Sequence, residues 1–333
     1  MKRILMLGTG GTIASEMTKD GLVPELTSKQ LLASVPEISE ICNVDCRQLF
    51  SLDSTNIRPE HWLIIAEAIK ENYDNYDGFV ISHGTDTMAY TAAALSYLVR
   101  DSKKPIVLTG AQKPISFDST DSKINLRDSF ICACSDMHGV QIVFNGKVIL
   151  GTRARKTRSK SFQAFSSINY PYLASISDGF MLKYIDIPHE NAPTFADTLE
   201  PNVGLLKMIP GISSDVVEFM VNKYDALIIE SFGVGGLPSY EGTDFYNVIK
   251  RGVENGKIIV ITTQVQNEGS DLEVYNVGNL IKKNLRVLEA YDMTTESVVA
   301  KLMWILGQTK DFDEVCKRFY TPVAFDILTK KGR

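Results

Sequence analysis

Arg3-Ile4-Leu5-Met6-Leu7-Gly8-Thr9-Gly10-Gly11-Thr12 opens the chain with a short apolar run that breaks into a glycine-rich turn. The run is shorter than the ~7–15 residue apolar core of a signal peptide, so it reads as a first β-strand and export is not expected. The pattern then repeats. Further strands are predicted at residues 78–82, 106–109 and 140–144, each a compact apolar stretch. Helical stretches lie between them. Residues 60–73 carry Trp62, Ile65, Ala66 and Ile69 at helical spacing, and 86–99 carry Met88, Ala92, Leu95 and Val99. Residues 121–136 follow a Ser/Asp-rich loop suited to capping. Strands alternating with helices predict a parallel α/β architecture.

A second series begins near Val203, with strands at 203–208, 226–229 and 257–262 and helices near 213–223, 243–252 and 294–306. Between the two series, Pro188, Pro193 and Pro201 punctuate a stretch with few apolar residues. The fold class is therefore α/β in two domains. A larger N-terminal domain with a mostly parallel sheet spans 1–187, a linker spans 188–202, and a smaller Rossmann-like α/β domain spans 203–333. A chain of 333 residues fits two domains at ~100–200 residues each.

The composition is that of a globular protein, with 44% hydrophobic and 23% charged residues. A net charge of −5 argues against nucleic acid as the main partner, because neutralising phosphates takes Lys and Arg. No segment approaches the ~18 consecutive apolar residues of a membrane span. The five cysteines (Cys42, Cys46, Cys132, Cys134, Cys316) are odd in number and sparse, as expected of free thiols in a reducing, cytoplasmic compartment. Neither close pair has the two-residue gap of a zinc site, and His61, His83, His138 and His189 do not cluster with them.

In open parallel sheets, ligands bind beyond the carboxyl ends of the strands. The polar clusters that follow strands are the candidates. Gly8-Thr9-Gly10-Gly11-Thr12 lacks the third glycine of the dinucleotide fingerprint, since Ile13 stands there, and it lacks the Lys of a phosphate loop. It is either a plain tight turn or a turn that brings backbone N–H groups to a reacting atom, with Thr12 as nucleophile. Ser82-His83-Gly84-Thr85-Asp86-Thr87 starts a helix, so Thr85 or Asp86 is either a cap or a hydroxyl and carboxylate offered to a site. His83 is read as structural, because no G-x-S-x-G elbow accompanies it. The basic run 151–160 is either a solvated loop or the source of one lysine in the site, which burial beside Thr85 would turn towards base chemistry. Asp53-Ser54-Thr55-Asn56 is either an Asx turn before Pro59 or a further ligand loop.

Together and in this order, these pieces resemble the L-asparaginase family, most closely its cytoplasmic (type I) and archaeal members. The resemblance rests on Thr9-Gly10-Gly11-Thr12-Ile13-Ala14 and His83-Gly84-Thr85-Asp86-Thr87-Met88. It extends in register through Ile106-Val107-Leu108-Thr109-Gly110, Ser167-Ile168-Asn169-Tyr170-Pro171, Gly233-Val234-Gly235-Gly236 and Lys301-Leu302-Met303-Trp304. It implies hydrolysis of L-asparagine to aspartate and ammonia, without cofactor or metal. It implies Thr12 as the nucleophile that becomes an acyl ester, and Thr85, Asp86 and Lys156 as the supporting catalytic group. Asp86 would also grip the substrate's α-ammonium, and Ser54, with Asp53 and Thr55 beside it, the α-carboxylate. It further implies a homodimer or homotetramer, with no nucleic-acid or membrane partner. Around Thr262-Thr263-Gln264 there is no cysteine of the kind found in regulated members, so weak allostery or none is expected.

One departure stands out. The family carries a tyrosine on the segment after the first motif, and the matching position here is Leu22, with Glu16 and Lys19 as the polar residues nearby. Two other readings compete. An ammonia-supplying subunit of a tRNA-dependent amidotransferase shares this core but usually has an extra N-terminal domain, whereas Thr12 lies near the start here. A nucleotide-binding module on the same scaffold is disfavoured by the failed glycine patterns.

Overall fold

The computed structural model describes residues 1–19, 21–187, 191–238 and 244–328. It divides into two compact units, Met1–Asp197 and Thr198–Arg333. Both are built on mostly parallel sheets with covering helices, the two-domain α/β architecture expected from the alternation of apolar runs and amphipathic stretches. Of the expected linker 188–202, residues 188–190 lie outside the described residues. Thr194–Phe195 pairs with Val99–Arg100 and sets the Phe195 ring on Tyr73 (5.4 Å), within the first unit.

The first unit holds an eight-stranded sheet. Its five parallel strands lie in the order Gly139–Phe144, Pro105–Thr109, Gly78–Ser82, Arg3–Gly10, Asn43–Leu52. Ile4 to Leu7, Phe79 to Ile81 and Ile106 to Leu108 are all buried, as strands covered on both faces must be. Lys147–Leu150, Ala174–Ser177 and Phe180–Lys183 extend the far edge antiparallel. The strand order reverses at Arg3–Gly10. The second parallel strand in the chain, Asn43–Leu52, lies on one side of it and the third, Gly78–Ser82, on the other. Such a switch point opens a crevice at the carboxyl ends of the strands, and this one separates the first and third.

The helices run Pro59–Asn72, Met88–Leu98 and Ser122–Ala133, each beginning or ending a residue or more inside its predicted range. Neither Thr85 nor Asp86 caps the second of these. The N-cap is Thr87, which makes no side-chain cap bond, so Thr85 and Asp86 are left on the turn before the helix. The basic run 151–160 is not simply a solvated loop. Thr152 and Arg153 are fully buried, and Ala154–Lys156 forms a strand paired antiparallel with Phe165–Ser167. The segment carrying Leu22 is a hairpin, Ser15–Thr18 with Gly21–Pro24. All five cysteines are free thiols, with Cys42 and Cys132 buried. Among the described residues no helix is long and apolar enough to cross a membrane.

The second unit has a four-stranded parallel sheet in chain order, Val203–Lys207, Ala226–Ser231, Ile258–Thr263 and Leu288–Glu289. Ile229, Ile259 and Ile261 pack on Val217, Val248 and Ile249 of the helices Ser214–Lys223 and Phe245–Glu254. The helix predicted from Thr243 starts at Phe245, and Thr243 itself is outside the described residues. The helices Asn276–Asn284 and Phe312–Tyr320 had no counterpart in the sequence reading.

Thr295–Leu306 is buried along almost its whole length, including Lys301. The Lys301 ammonium meets the Asp326 carboxylate at 2.7 Å with both side chains fully buried, and it also donates to the Thr321 carbonyl (2.9 Å). Asp326 in turn accepts from the Val323 N–H (2.9 Å), so one carboxylate ties down the last described turn. Removing one partner of a buried pair strands the other charge. Asp326→Ala is expected to lower unfolding stability by roughly 3–5 kcal/mol, with partial recovery in the Asp326→Ala/Lys301→Met double variant, measured by urea denaturation.

Candidate active site

Three loops converge where the strand order reverses. Gly11 has φ 82°, a left-handed conformation that favours glycine. A Cβ on Gly11 would stand 2.3 Å from the Gly84 nitrogen and 2.4 Å from its Cα. A Cβ on Gly84 would stand 2.6 Å from Ser54 Oγ. The two turns are therefore in backbone contact, and Thr12 and Thr85 are the next residue on each. The Leu52 carbonyl accepts from the Gly11 N–H (2.9 Å) and holds the third loop against the first.

The first turn passes into a short 3₁₀ helix, Thr12–Ala14, with Gly11 as its N-cap. Thr12 is half-buried, and among the described residues its hydroxyl makes no hydrogen bond. Leu22 lies on the exposed hairpin, paired with Met17. Glu16 and Lys19 are exposed, and neither hydrogen-bonds Thr12.

On the second turn Thr85 is buried, and its hydroxyl accepts from Lys156 Nζ (2.8 Å). The same ammonium meets Asp86 Oδ1 at 2.6 Å. The Lys156 side chain is only 17% exposed, whereas that of Asp86 is 56% exposed, so the carboxylate keeps a face towards solvent and an incoming cation. The hairpin Ala154–Lys156/Phe165–Ser167 delivers this lysine.

The third loop is Asp53 with the short 3₁₀ helix Ser54–Asn56. Asp53 Oδ1 accepts from both the N–H and the hydroxyl of Thr55 (2.8 Å each), which is the Asx turn the sequence suggested. Ser54 does more than sit in that turn. Its hydroxyl accepts from the Asp86 N–H (3.2 Å) and its carbonyl from the Thr87 hydroxyl (2.7 Å). All the candidate site residues thus belong to one cluster: Thr12, Asp53, Ser54, Thr55, Thr85, Asp86 and Lys156.

His83 supports the cluster from beneath. It is fully buried, its Nδ1 lies 2.7 Å from the Gly84 carbonyl, and its Nε2 lies 2.9 Å from the Thr91 hydroxyl. A carbonyl only accepts, so Nδ1 carries the proton and Thr91 donates to Nε2. Trp62 Nε1 donates to Thr91 in turn (3.0 Å). Burial lowers the His83 pKa to about 4, so the ring is neutral near pH 7.

Three residues of the site escaped the sequence reading: Gln112, Asp121 and Asn125. Gln112 Oε1 accepts from the Thr85 hydroxyl (3.2 Å). Buried Asp121 accepts from the backbone N–H groups of Gln112 and Lys113 and from the Asn125 amide. Gln112 follows the strand Pro105–Thr109, the same position in the fold that singled out the other loops. Among the described residues no group of three or more His, Cys, Asp or Glu could hold a metal ion.

Residues 3–186 match the family "Asparaginase, N-terminal", and residues 202–319 match "Glutaminase/Asparaginase C-terminal domain". An L-asparaginase of Thermococcus kodakarensis is 38% identical over 98% of this chain and 99% of its own. The solved structure of the thermostable L-asparaginase from that organism superposes with a TM-score of 0.92 at 37% identity, covering 98% of this chain and all (100%) of the other. L-asparaginase I of Vibrio cholerae gives 0.87 at 30%, over 98% and 99% of the two chains. A glutamyl-tRNA(Gln) amidotransferase subunit of Pyrococcus horikoshii is 35% identical over 97% of this chain and 76% of its own.

A buried neutral histidine carries a pH signature. Its folded pKa is depressed, so the unfolded chain binds the proton more readily. The stability it confers is complete above pH 6.5 and is lost as the pH falls towards about 4. Replacing it by His83→Gln is expected to remove up to ~3 kcal/mol of the acid-side loss, read as a flatter dependence of unfolding free energy on pH between these limits.

Proposed function

The chain belongs to the asparaginase family of amidohydrolases, and we propose that it hydrolyses L-asparagine to L-aspartate and ammonia through a threonine acyl-enzyme. The observation that carries this reading is the contact of the Gly11 turn, which carries Thr12, with the Gly84 turn, which carries Thr85, whose hydroxyl is bridged by Lys156 to Asp86. It pairs a hydroxyl that makes no hydrogen bond among the described residues with a hydroxyl–amine–carboxylate relay.

In the proposed reaction, Asp86 binds the α-ammonium of the substrate through its exposed face. Ser54, with Asp53 and Thr55, binds the α-carboxylate. Held at both ends, the side-chain amide lies against Thr12, so much of the entropic cost of encounter is met by binding. Thr12 Oγ attacks the amide carbon and a C–O bond forms. Backbone N–H groups of the glycine turn stabilise the oxyanion, with ~3–4 kcal/mol per donor as the scale of such an effect. The C–N bond breaks, and the hydroxyl proton leaves with the nitrogen as ammonia. Water then cleaves the aspartyl ester, restoring Thr12 and releasing aspartate. The Thr85–Lys156 pair handles the proton in both halves. One extra methylene is worth only ~1–3 kcal/mol of discrimination, so minor turnover of L-glutamine is part of the proposal. The protein is assigned to the cytoplasm, as a homodimer or homotetramer.

The kinship with a tRNA-dependent amidotransferase supports a second reading, in which the released ammonia serves a partner. The two readings separate on one preparation. The purified chain alone is expected to release ammonia from L-asparagine, much less from L-glutamine and none from D-asparagine. Release only when a partner protein and tRNA are supplied would favour the other reading. Thr12→Ala and Lys156→Met are each expected to lower kcat by at least about a thousandfold with the fold intact by circular dichroism, and near-normal turnover by Thr12→Ala would sink the mechanism.

A further inference from the structure

Gln112 has a bonding pattern with only one self-consistent assignment. Its side-chain amide touches two groups, the Thr85 hydroxyl at 3.2 Å and the Ser161 carbonyl at 3.2 Å. A carbonyl can only accept, so the Ser161 side must be the NH₂ group and the Thr85 side must be the oxygen. The oxygen can only accept. The Thr85 hydroxyl therefore points its proton at Gln112, and its lone pair is left to receive Lys156 Nζ at 2.8 Å. A flipped amide would set two donors on Thr85 and two carbonyl oxygens against each other. The backbone of Gln112 is anchored as well, because its N–H donates to both oxygens of buried Asp121 (3.0 and 3.1 Å). Asn125 joins the Asp121 carboxylate (3.1 Å) to the Gly110 carbonyl (2.9 Å), on the same loop.

We infer that Gln112 is a positioning residue that fixes the direction of the Thr85 hydroxyl proton and so keeps a Thr85 lone pair aligned with the Lys156 N–H. The inference rests on the proposed amidohydrolase reading for its kinetic consequence, but its geometric content concerns Thr85 and Lys156 alone. Without the acceptor at residue 112, the Thr85 hydroxyl can rotate and donate elsewhere, and its alignment with Lys156 loosens. Binding of the substrate's α-groups by Asp86 and Ser54 does not involve this amide. The effect should therefore fall on kcat rather than on KM.

The test combines kinetics with a titration that needs no turnover. Gln112→Ala is expected to lower kcat by about tenfold, less than the ~100-fold or more that losing a general acid–base group itself costs, with KM within about twofold and an unchanged melting temperature. Gln112→Glu keeps the acceptor but adds a negative charge beside Thr85 and Lys156. It is expected to move the rising limb of the kcat profile to higher pH by about half a unit or more, the direction in which a nearby carboxylate shifts an ammonium. The same variant should raise the pH at which Lys156 titrates, followed by NMR of lysine labelled with ¹³C at Cε, with Lys156→Arg identifying the resonance. An unmoved Lys156 titration in Gln112→Glu overturns the inference, as does a Gln112→Ala enzyme with wild-type kcat and pH profile. If the wild type releases no ammonia from asparagine while the Lys156 titration still moves, the functional reading fails and the positioning role of Gln112 stands.

Discussion

The site depends on two backbone turns touching. Gly11 and Gly84 approach so closely that a single Cβ on Gly11 would overlap the Gly84 nitrogen and Cα, and a Cβ on Gly84 would overlap the Ser54 side chain. A contact this short is possible only where side chains are absent, and it sets three loops within one small volume. Gly110 repeats the device one strand further along, where a Cβ would lie 2.2 Å from the His83 carbonyl. Backbone contacts of this kind are stiffer than side-chain contacts, so the threonines that follow Gly11 and Gly84 inherit fixed positions. The topology sets the place. A strand order that reverses at Arg3–Gly10 opens its crevice where Thr12 and Thr85 emerge.

Around this contact the polar groups form a relay that runs outward. Gln112 accepts from Thr85, Lys156 donates to Thr85 and Asp86, and Asp86 receives its backbone position from the Ser54 hydroxyl. Beneath it, Trp62, Thr91 and His83 pass hydrogen bonds inward to the Gly84 carbonyl. The neutral imidazole is thus part of the scaffold of the turn, and its buried position gives it no route to substrate. Lys156 is the one member of the relay that comes from the antiparallel part of the unit, on the Ala154–Lys156 strand that follows buried Thr152 and Arg153.

Much of this was legible in the sequence, and for identifiable reasons. Continuous apolar runs such as Ile4 to Leu7 are what a strand buried on both faces requires, so the parallel sheet followed from periodicity. The polar clusters at strand ends followed from the binding rule for open sheets, which is why Thr12, Ser54, Thr85 and Asp86 could be named. What stayed hidden was set by long-range packing. Gln112, Asp121 and Asn125 carry no local signature, and their meaning comes from Thr85, more than twenty residues away in the chain. For the basic run 151–160, charge alone left a solvated loop as one of two readings, yet Arg153 is buried over the ring of Tyr170. Leu22 departs from the family pattern, and it lies on an exposed hairpin strand opposite Met17.

That departure leaves the proposed chemistry resting on Thr12, whose hydroxyl has no internal partner among the described residues. The most direct measurement is peptide mapping of the protein quenched in acid within milliseconds of mixing with excess L-asparagine. Catalysis through Thr12 predicts an aspartyl ester on the peptide that begins the chain, with fragmentation placing it on Thr12. An aspartyl ester on the peptide bearing Thr85, with Thr12 unmodified, would contradict it.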